Sequence, residues 1–507
     1  MSLASTIEID RPRRIFVTVS IMMASIMQVL DTTIANVALP HIQGSLSATQ
    51  DQIAWVLTSY IVASAIMTPL GGWMAGRVGR KRIFLFSIAG FTVASMLCGL
   101  AQSLPQMVLA RVLQGVCGAA VVPMAQAVML DINPPEQQAR AMSIWAMGVT
   151  VGPIVGPALG GWLTDNYNWR WVFYINVPFG ILAFLGTLSF MPETPLRRSP
   201  FDFFGFATLS LAVGALQITL DRGQLKDWFN STEICIEALV AAAALYLFLV
   251  HMVTTHKTRF LDPALFKDQN CVAGCLFIFT VGLILYATLA LLPPLLQGLM
   301  NYPVVTTGLV TAPRGFGSLL SMLIIGRIAH RIDIRWVISC GFAIAAFSAW
   351  QMTGFDLQMD ESTVMWSGIA QGVGSGMVSV PLAGAAFATL RPTLRNEAAS
   401  LFNLCRNLGS SVGISIVETL LVRNTQTAHA TLAEHVTPFN SLVHAPMQGG
   451  APATRLALLN AQVTQQAAMI AYDDNFKLMM WLSLAAIPLV LLLRKSGSRI
   501  TEQVDVE

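Results

Sequence analysis

Asp31 stands in the stretch LDTTIANVALP (30–40), inside an otherwise apolar run. A carboxylate in such a setting is expensive and faces a cavity or a partner. Lost hydration favours its neutral form, so it could load and release a proton near neutral pH. The alternative is a neutral Asp hydrogen-bonded to a neighbouring helix for packing. Arg111 stands in LARVLQGVCGAA (109–120), where helical spacing puts Arg111, Gln114, Gly115 and Gly118 on one face. Arginine does not usefully give up its proton. It would tune a carboxylate rather than carry the proton, unless it snorkels to an interface. Asn403, Arg406 and Asn407 share another face, with Glu418 further along the same run. A polar stripe of this kind lines a cavity more often than it meets lipid. Gln28, Asn36 and Gln114 join it as candidate cavity residues. Glu418 is either a second proton carrier or an interfacial residue. Arg314, in TAPRGFG, and Glu237 are further charges within apolar runs.

A different kind of signal lies in GVTVGPIVGPALGGWL (148–163). Gly148, Gly152, Gly156 and Gly160 recur every four residues, with Pro153, Pro157 and Gly161 among them. These are the residues a helix interior tolerates worst. The glycines make a smooth stripe and the prolines bend the helix. A kinked helix with a bare face suits two rigid halves that rock against each other. Simple close packing between small residues is the alternative.

The elements that hold these residues follow from composition. Of 507 residues, 54% are hydrophobic and 11% charged, against roughly 25% charged in soluble domains. The mean hydropathy is +0.63. Apolar runs long enough for a bilayer, about 20 residues, stand at 15–38, 53–75, 83–102, 106–130, 141–163, 171–191, 203–220, 234–254, 270–296, 305–326, 336–354, 363–389, 398–421 and 475–493. The runs are continuous rather than alternating, which predicts fourteen helices and no barrel. With the N-terminus placed in the cytoplasm, 21 of the 30 Lys and Arg residues fall on inside segments and six outside. That bias puts both termini in the cytoplasm. The seven cysteines show no zinc or disulfide spacing, and Cys271 and Cys275 read as a packing pair. No cleavable signal peptide is evident.

Connections are short except for an outside loop at 422–474, in which TRLALLNAQVTQQAAMIAY predicts a short amphipathic helix. There is also an internal echo. Ala75, Arg77, Val78 and Lys81 match Ala329, Arg331, Ile332 and Arg335 at one fixed offset. A repeated bundle would produce this, as transporters often do, and so would chance similarity between two basic loops.

Together these segments resemble the major facilitator superfamily, and more narrowly its fourteen-helix drug:proton antiporters of the EmrB/QacA type. LDTTIANVALP is similar to that family's first-helix motif, RVLQG to its fourth-helix motif, and the Gly-Pro stretch to its antiporter motif. The basic segment GWMAGRVGRKR (72–82), with Gly72, Arg77, Gly79, Arg80 and Lys81, is similar to its cytoplasmic loop motif. DNYNWRWVFYINVPFG and LDRGQLKDWF look like the EmrB branch of Gram-negative bacteria. One departure is Gly76, where the family has an acid that latches the loop to neighbouring helices.

The resemblance implies an all-α fold of two six-helix bundles, 15–191 and 269–494. Two inserted helices (203–254) separate them, with tails at 1–14 and 495–507. It implies proton-driven export of amphipathic or hydrophobic toxic compounds across the bacterial inner membrane. Asp31, Arg111 and Glu418 would couple the proton, and Glu237 would be structural. No cofactor, metal or nucleic acid is expected, with the proton motive force as the energy source. A periplasmic adaptor and an outer-membrane channel are the implied partners, the adaptor docking on 422–474 unless that loop is a self-packed cap. The Gly-Pro motif argues against a uniporter or importer of one metabolite. A receptor would show a sizeable soluble domain. No H-E-x-x-H, G-x-S-x-G or P-loop supports an enzyme or an ATP-driven pump.

Overall fold

The computed structural model describes residues 10–194, 196, 200–255, 260–328, 332–391, 394–436 and 452–493. Most of the 1–14 tail, the 495–507 tail, residues 437–451 of the long loop, and Arg197, Arg198, Lys257, Arg259, Arg331, Arg494, Lys495 and Arg499 lie outside the described residues.

Helices stand at each position where a long apolar run lies. They are α1 (Arg11–Ser45), α2 (Trp55–Val78), α3 (Arg80–Leu100), α4 (Leu104–Asp131), α5 (Pro135–Asn166), α6 (Trp171–Phe190) and α7 (Phe203–Arg222). Then follow α8 (Thr232–Thr254), α9 (Gln269–Leu299), α10 (Thr306–Ile328), α11 (Ile334–Met352), α12 (Glu361–Ala388), α13 (Arg395–Glu434) and α14 (Pro452–Leu489). Among the described residues, eleven helices are long and apolar enough to cross a bilayer. The other three are α11, with Arg335 and Gln351 near its ends, and α13 and α14, which join an apolar stretch to a polar extension. Helices satisfy their backbone groups internally, which hydrocarbon surroundings require. Large side chains such as Phe86, Leu239 and Trp336 point outward, each 70% exposed or more. Lipid is a suitable solvent for them.

Arg13 Nε donates to the Phe190 carbonyl at 2.9 Å, Arg14 to Gln137 at 3.2 Å, and the Arg80 amide to Thr194 at 3.1 Å. These bonds gather the starts of α1, α3 and α5 and the end of α6 on one face, here called the terminal face.

The glycine stripe of α5 faces α1, inside the first half. A Cβ at Gly152 would lie 3.1 Å from the Leu30 amide nitrogen and 3.2 Å from Val29 Cγ1. One at Gly160 would lie 3.3 Å from the Ile34 carbonyl, and one at Gly156 would strike the Thr33 hydroxyl. Gly161 is buried beside them, and Pro153 and Pro157 lie within the helix. The expectation that this stripe is where the halves slide is therefore corrected. The seam between halves uses glycines of α10 instead: Gly326 approaches Ser143, Gly315 takes Ile154, and Gly308 meets Ala158.

The second half repeats the design. On α13, a Cβ at Gly409 or Gly413 would strike the carbonyls of Phe279 or Leu283 on α9. Gly115 on α4 lies against the Tyr60 carbonyl of α2, and Gly372 on α12 lies against the Arg314 carbonyl of α10. So α1/α5 corresponds to α9/α13 and α2/α4 to α10/α12. The register that pairs Tyr60 with Arg314 is the same offset that relates the two basic loops.

The inserted helices α7 and α8 pack on each other, and α7 packs on α2. Gln217 Nε2 of α7 reaches Ser411 of α13 at 2.7 Å. Glu237 lies 3.8 Å from Arg222, a local ion pair that fits a structural role. The segment expected as a loop at 422–474 is instead largely two helix extensions, since α13 continues to Glu434 and α14 begins at Pro452. His429 and Asn460 join them at 3.1 Å. Leu456 and Leu458 are exposed, whereas Met469 is buried and unavailable as a docking contact.

Gly152→Leu forces a branched side chain into the α1/α5 contact. Overpacking of this kind costs ~1–3 kcal/mol. We expect a lower Tm in detergent and loss of transport, with Gly152→Ala much milder because its single methyl meets contacts near 3.1 Å. Unchanged Tm and turnover in Gly152→Leu would show that the contact is loose.

Candidate functional site

Five helices of the first half, α1, α2, α3, α4 and α6, bring polar side chains to one dry point. Asp31, on α1, is fully buried. Its Oδ2 takes Arg111 Nη1 of α4 at 2.6 Å. Its Oδ1 accepts from Gln114 Nε2 at 2.9 Å and from Asn176 Nδ2 of α6 at 2.7 Å. Arg111 also donates to the Gln114 carbonyl oxygen at 2.8 Å and, through Nε, to the Val56 carbonyl of α2 at 2.9 Å. Its guanidinium lies 4.4 Å from the Tyr60 ring centre, and Asn176 donates to Ser95 Oγ of α3 at 2.9 Å. Charge-assisted bonds of this length are the strong ones.

The spacing of α4 places Arg111 and Gln114 one turn apart, so both reach the same carboxylate. Gly115 lets α4 approach the α2 backbone closely enough for Arg111 to find the Val56 carbonyl. Asp31 is thus held as an ion pair, and Arg111 points inward rather than snorkelling. The site presents a buried carboxylate whose hydrogen-bonding neighbours are all donors. Sequence reading missed Asn176, Tyr60 and Ser95. Asn176 had a signal, as an amide within the apolar sixth run. Tyr60 and Ser95 are common in apolar helices and carried none.

A second polar group closes the terminal face between the halves. Asp131, at the end of α4, is an ion-pair partner of Arg80 and takes Arg395 Nη1 of α13 at 3.1 Å. A Cβ at Gly72 would lie 3.1 Å from Glu397 Cα, so α2 sits directly on the start of α13. Gly79 turns the chain between α2 and α3 with φ +97°, which favours glycine. Arg77 stacks 5.4 Å from the Trp73 ring centre, and Lys81 is half-buried. The missing acid at position 76 therefore does not remove the latch, because Asp131 bridges the two halves.

The remaining candidates do not gather at Asp31. Asn403 donates to Gln126 of α4 at 2.6 Å and is buried, so it plugs the seam between halves. Arg406 and Asn407 are half-buried on α13, and Asn36 is exposed toward the far end of α1. Gln28 lies beside the Tyr60 hydroxyl. Glu418 is exposed and within electrostatic reach of Asp221, which accepts from the Thr58 hydroxyl. It forms a separate acidic spot at the far end of α7 and α13. Cys275 neighbours Cys271 and Cys405, and no metal-type cluster is found among the described residues.

Comparisons with known proteins agree with the fold. The model of the Major Facilitator Superfamily matches residues 21–414. Fatty acid resistance protein FarB of Neisseria gonorrhoeae is 37% identical over 482 residues, 94% of this chain and 95% of that protein. Multidrug export protein EmrB of Escherichia coli (strain K12) is 38% identical over 486 residues, 94% of each. Among solved structures, the human organic anion transporter MFSD10 aligns with TM-score 0.60 at 13% identity, over 94% of this chain and 100% of that chain. A bacterial homologue of the human lysosomal transporter Spinster aligns with TM-score 0.55 at 19% identity, over 96% and 100%. These two likenesses speak for the fold alone.

Arg111→Lys keeps a charge but loses the fork that serves Asp31, Gln114 and Val56 together. We expect proton-coupled transport at least roughly tenfold below wild type, the equivalent of ~1.4 kcal/mol. Normal coupling would make the arginine a simple counter-ion.

Proposed function

The chain belongs to the Major Facilitator Superfamily, and we propose that it is a proton-driven multidrug exporter that moves amphipathic or hydrophobic toxic compounds out of a bacterial cytoplasm. The observation that carries this reading is the buried Asp31–Arg111–Gln114–Asn176 cluster, in a chain whose relatives are named multidrug export proteins. On this reading the protein is a transporter and not an enzyme, and the proton motive force rather than a cofactor supplies the energy.

The mechanism follows from the ion pair. Protonating Asp31 leaves Arg111 charged in a dry interior. Breaking a buried pair by removing one partner costs ~3–5 kcal/mol, and about 5.5 kcal/mol turns a 99:1 population around. One proton is therefore of the right size to switch a two-state bundle. Leu30, next to Asp31, touches Gly152 of α5. The carboxylate is thus tied to the helix that forms the seam with α10. The Asp131 and Asn403 contacts close the terminal face in this state. Substrate and proton then compete for opposite states of the same cluster, with Glu418 as a second carrier.

We place the terminal face in the cytoplasm of a fourteen-span inner-membrane protein. That face holds Arg13, Arg14, Arg80, Arg140, Arg327, Arg335 and Arg395 among the described residues, in keeping with the positive-inside rule. The α13/α14 extensions then stand in the periplasm. The 13 residues from Val422 to Glu434 reach about 20 Å at 1.5 Å per residue. We assign them to docking a periplasmic adaptor that leads to an outer-membrane channel.

Efflux in inside-out vesicles, read with a compound panel and a pH-sensitive dye, tests the core of this reading. Wild type should show compound-induced proton flux, and Asp31→Asn should show none while remaining folded. Wild-type flux in that variant would remove Asp31 from the mechanism. Replacing 430–470 with a Gly-Ser linker should leave vesicle transport intact and abolish whole-cell resistance and co-purification with an adaptor. Retained co-purification would place the docking surface elsewhere.

A further inference from the structure

The inserted helix α7 packs on α2 of the first half and on α13 of the second, and it is held to the two in different ways. On α13, Ser411, Ser415 and Thr419 recur every four residues and so share one face. Each of them meets the insert. Gln217 Nε2 of α7 donates to Ser411 Oγ at 2.7 Å. Ser415 Oγ donates to the Leu220 carbonyl at 2.9 Å. Trp228 Nε1, in the turn after α7, donates to Thr419 Oγ1 at 3.0 Å. Gln217 and Ser415 are buried. The turn itself is shaped for this ladder. Asp227 and Trp228 both take left-handed backbone angles, φ +56° and +51°, a costly conformation for a bulky side chain. It sets the Trp228 indole against α13.

The body of the contact with α2 is apolar. A Cβ at Gly214 would lie 3.0 Å from Ile66 Cδ1 and 3.9 Å from Val62 Cγ1. Leu209 and Val213 bury against Ala65, in a cluster that also takes in Leu404 of α13. Polar links to α2 stand at the far end, opposite the terminal face. There the Thr58 hydroxyl donates to Asp221, and the Arg222 guanidinium lies 5.2 Å from the Trp55 ring centre. Asp221 is exposed. In hydrocarbon, a polar group that loses its partner finds no water to replace it. An apolar face can exchange one alkyl neighbour for another at little cost. At the membrane surface, water can stand in for either partner of a broken bond.

The two faces of α7 therefore differ in the movement they allow. We propose that α7 is a strap that travels with the second half: it stays bonded to α13 and slides over α2 as the halves rock. The contacts made and broken are then Asp221–Thr58 and Arg222–Trp55, both at the far end. This rests on reading the chain as a transporter with two moving halves, and it adds which half carries the insert. On that arrangement α7 keeps the seam between α2 and α13 covered while they separate, and α8, which packs on α7, follows it.

The test fixes α7 to one neighbour at a time in the purified full chain in nanodiscs, which needs no pumping. Gln217→Cys with Ser411→Cys links α7 to α13, and Thr58→Cys with Asp221→Cys links it to α2. Trp228→Cys with Thr419→Cys and Gly214→Cys with Ile66→Cys are second links to α13 and α2, should a first pair not fold. Each disulfide is closed with copper phenanthroline and confirmed by mass spectrometry. The reporter is the distance between spin labels carried on p-acetylphenylalanine at Asn166 and Gln358, exposed positions at the far ends of the first and second halves. It is followed at acidic and alkaline pH. The unlinked chain should show two distances whose proportions shift with pH. A link to α13 should leave both, a link to α2 should leave one, and reduction should restore the unlinked behaviour. A link to α13 that leaves one distance, a link to α2 that leaves both, or an unlinked chain with one distance at every pH overturns the proposal. A chain that rocks as expected yet shows no compound-induced proton flux in vesicles overturns the exporter reading alone.

Discussion

A charge removed from water must be compensated, and the Asp31–Arg111 ion pair is where this molecule meets that demand most fully. Both groups are fully buried, and the pair is only 2.6 Å long. Gln114, Asn176 and the Val56 carbonyl add further bonds, and of this cluster Arg111 Nη2 and Asn176 Oδ1 are left without a partner. Those bonds draw on α1, α2, α4 and α6, so the pair fixes how four of the first six helices meet. A partly satisfied polar network is costly in a low dielectric, and a fully satisfied one makes the arrangement specific. On the proposed mechanism the same property makes it a switch, because a single proton on Asp31 undoes the balance.

The glycine contacts bring neighbouring helices into direct backbone contact. Where a helix presents glycines, its neighbour's backbone comes within van der Waals reach, and the two move as one piece. The α1/α5 and α9/α13 pairs are built this way. On the proposed mechanism a change in charge on α1 reaches α5, and through α5 the seam with α10. The Asp131 bridge and the Asn403–Gln126 bond tie the two halves at one end. The Asn403–Gln126 bond is buried like the Asp31 pair, whereas the Asp131 bridge is partly open to solvent.

Most of the fold was legible because hydrocarbon surroundings leave so few options. Long apolar runs become helices, and helices appear at each predicted position. Asp31, Arg111 and Gln114 were legible because polar residues in apolar runs are conspicuous and helical spacing sets their face. Their direct pairing was not, since nothing local in α1 points to α4. The α5 stripe was visible as a smooth face, but which neighbour it met depended on tertiary packing, and the neighbour is α1. At 422–474 a helix over TRLALLNAQVTQQAAMIAY was legible and lies within α14, but its continuity with the last apolar run was not, because polar residues that continue a helix look like loop composition. The latch was misread for another reason. Gly76 signalled a missing acid, while Asp131, fifty-odd residues away, supplies one.

If substrate and proton act on one carboxylate, binding of the compound releases a proton. An exported compound is added to purified protein in weakly buffered solution near neutral pH, and the pH change is followed by an indicator dye. Wild type should release protons in proportion to the compound bound, and Asp31→Asn should bind the compound without release. Equal proton release from both proteins would contradict the account and move the coupling site away from Asp31.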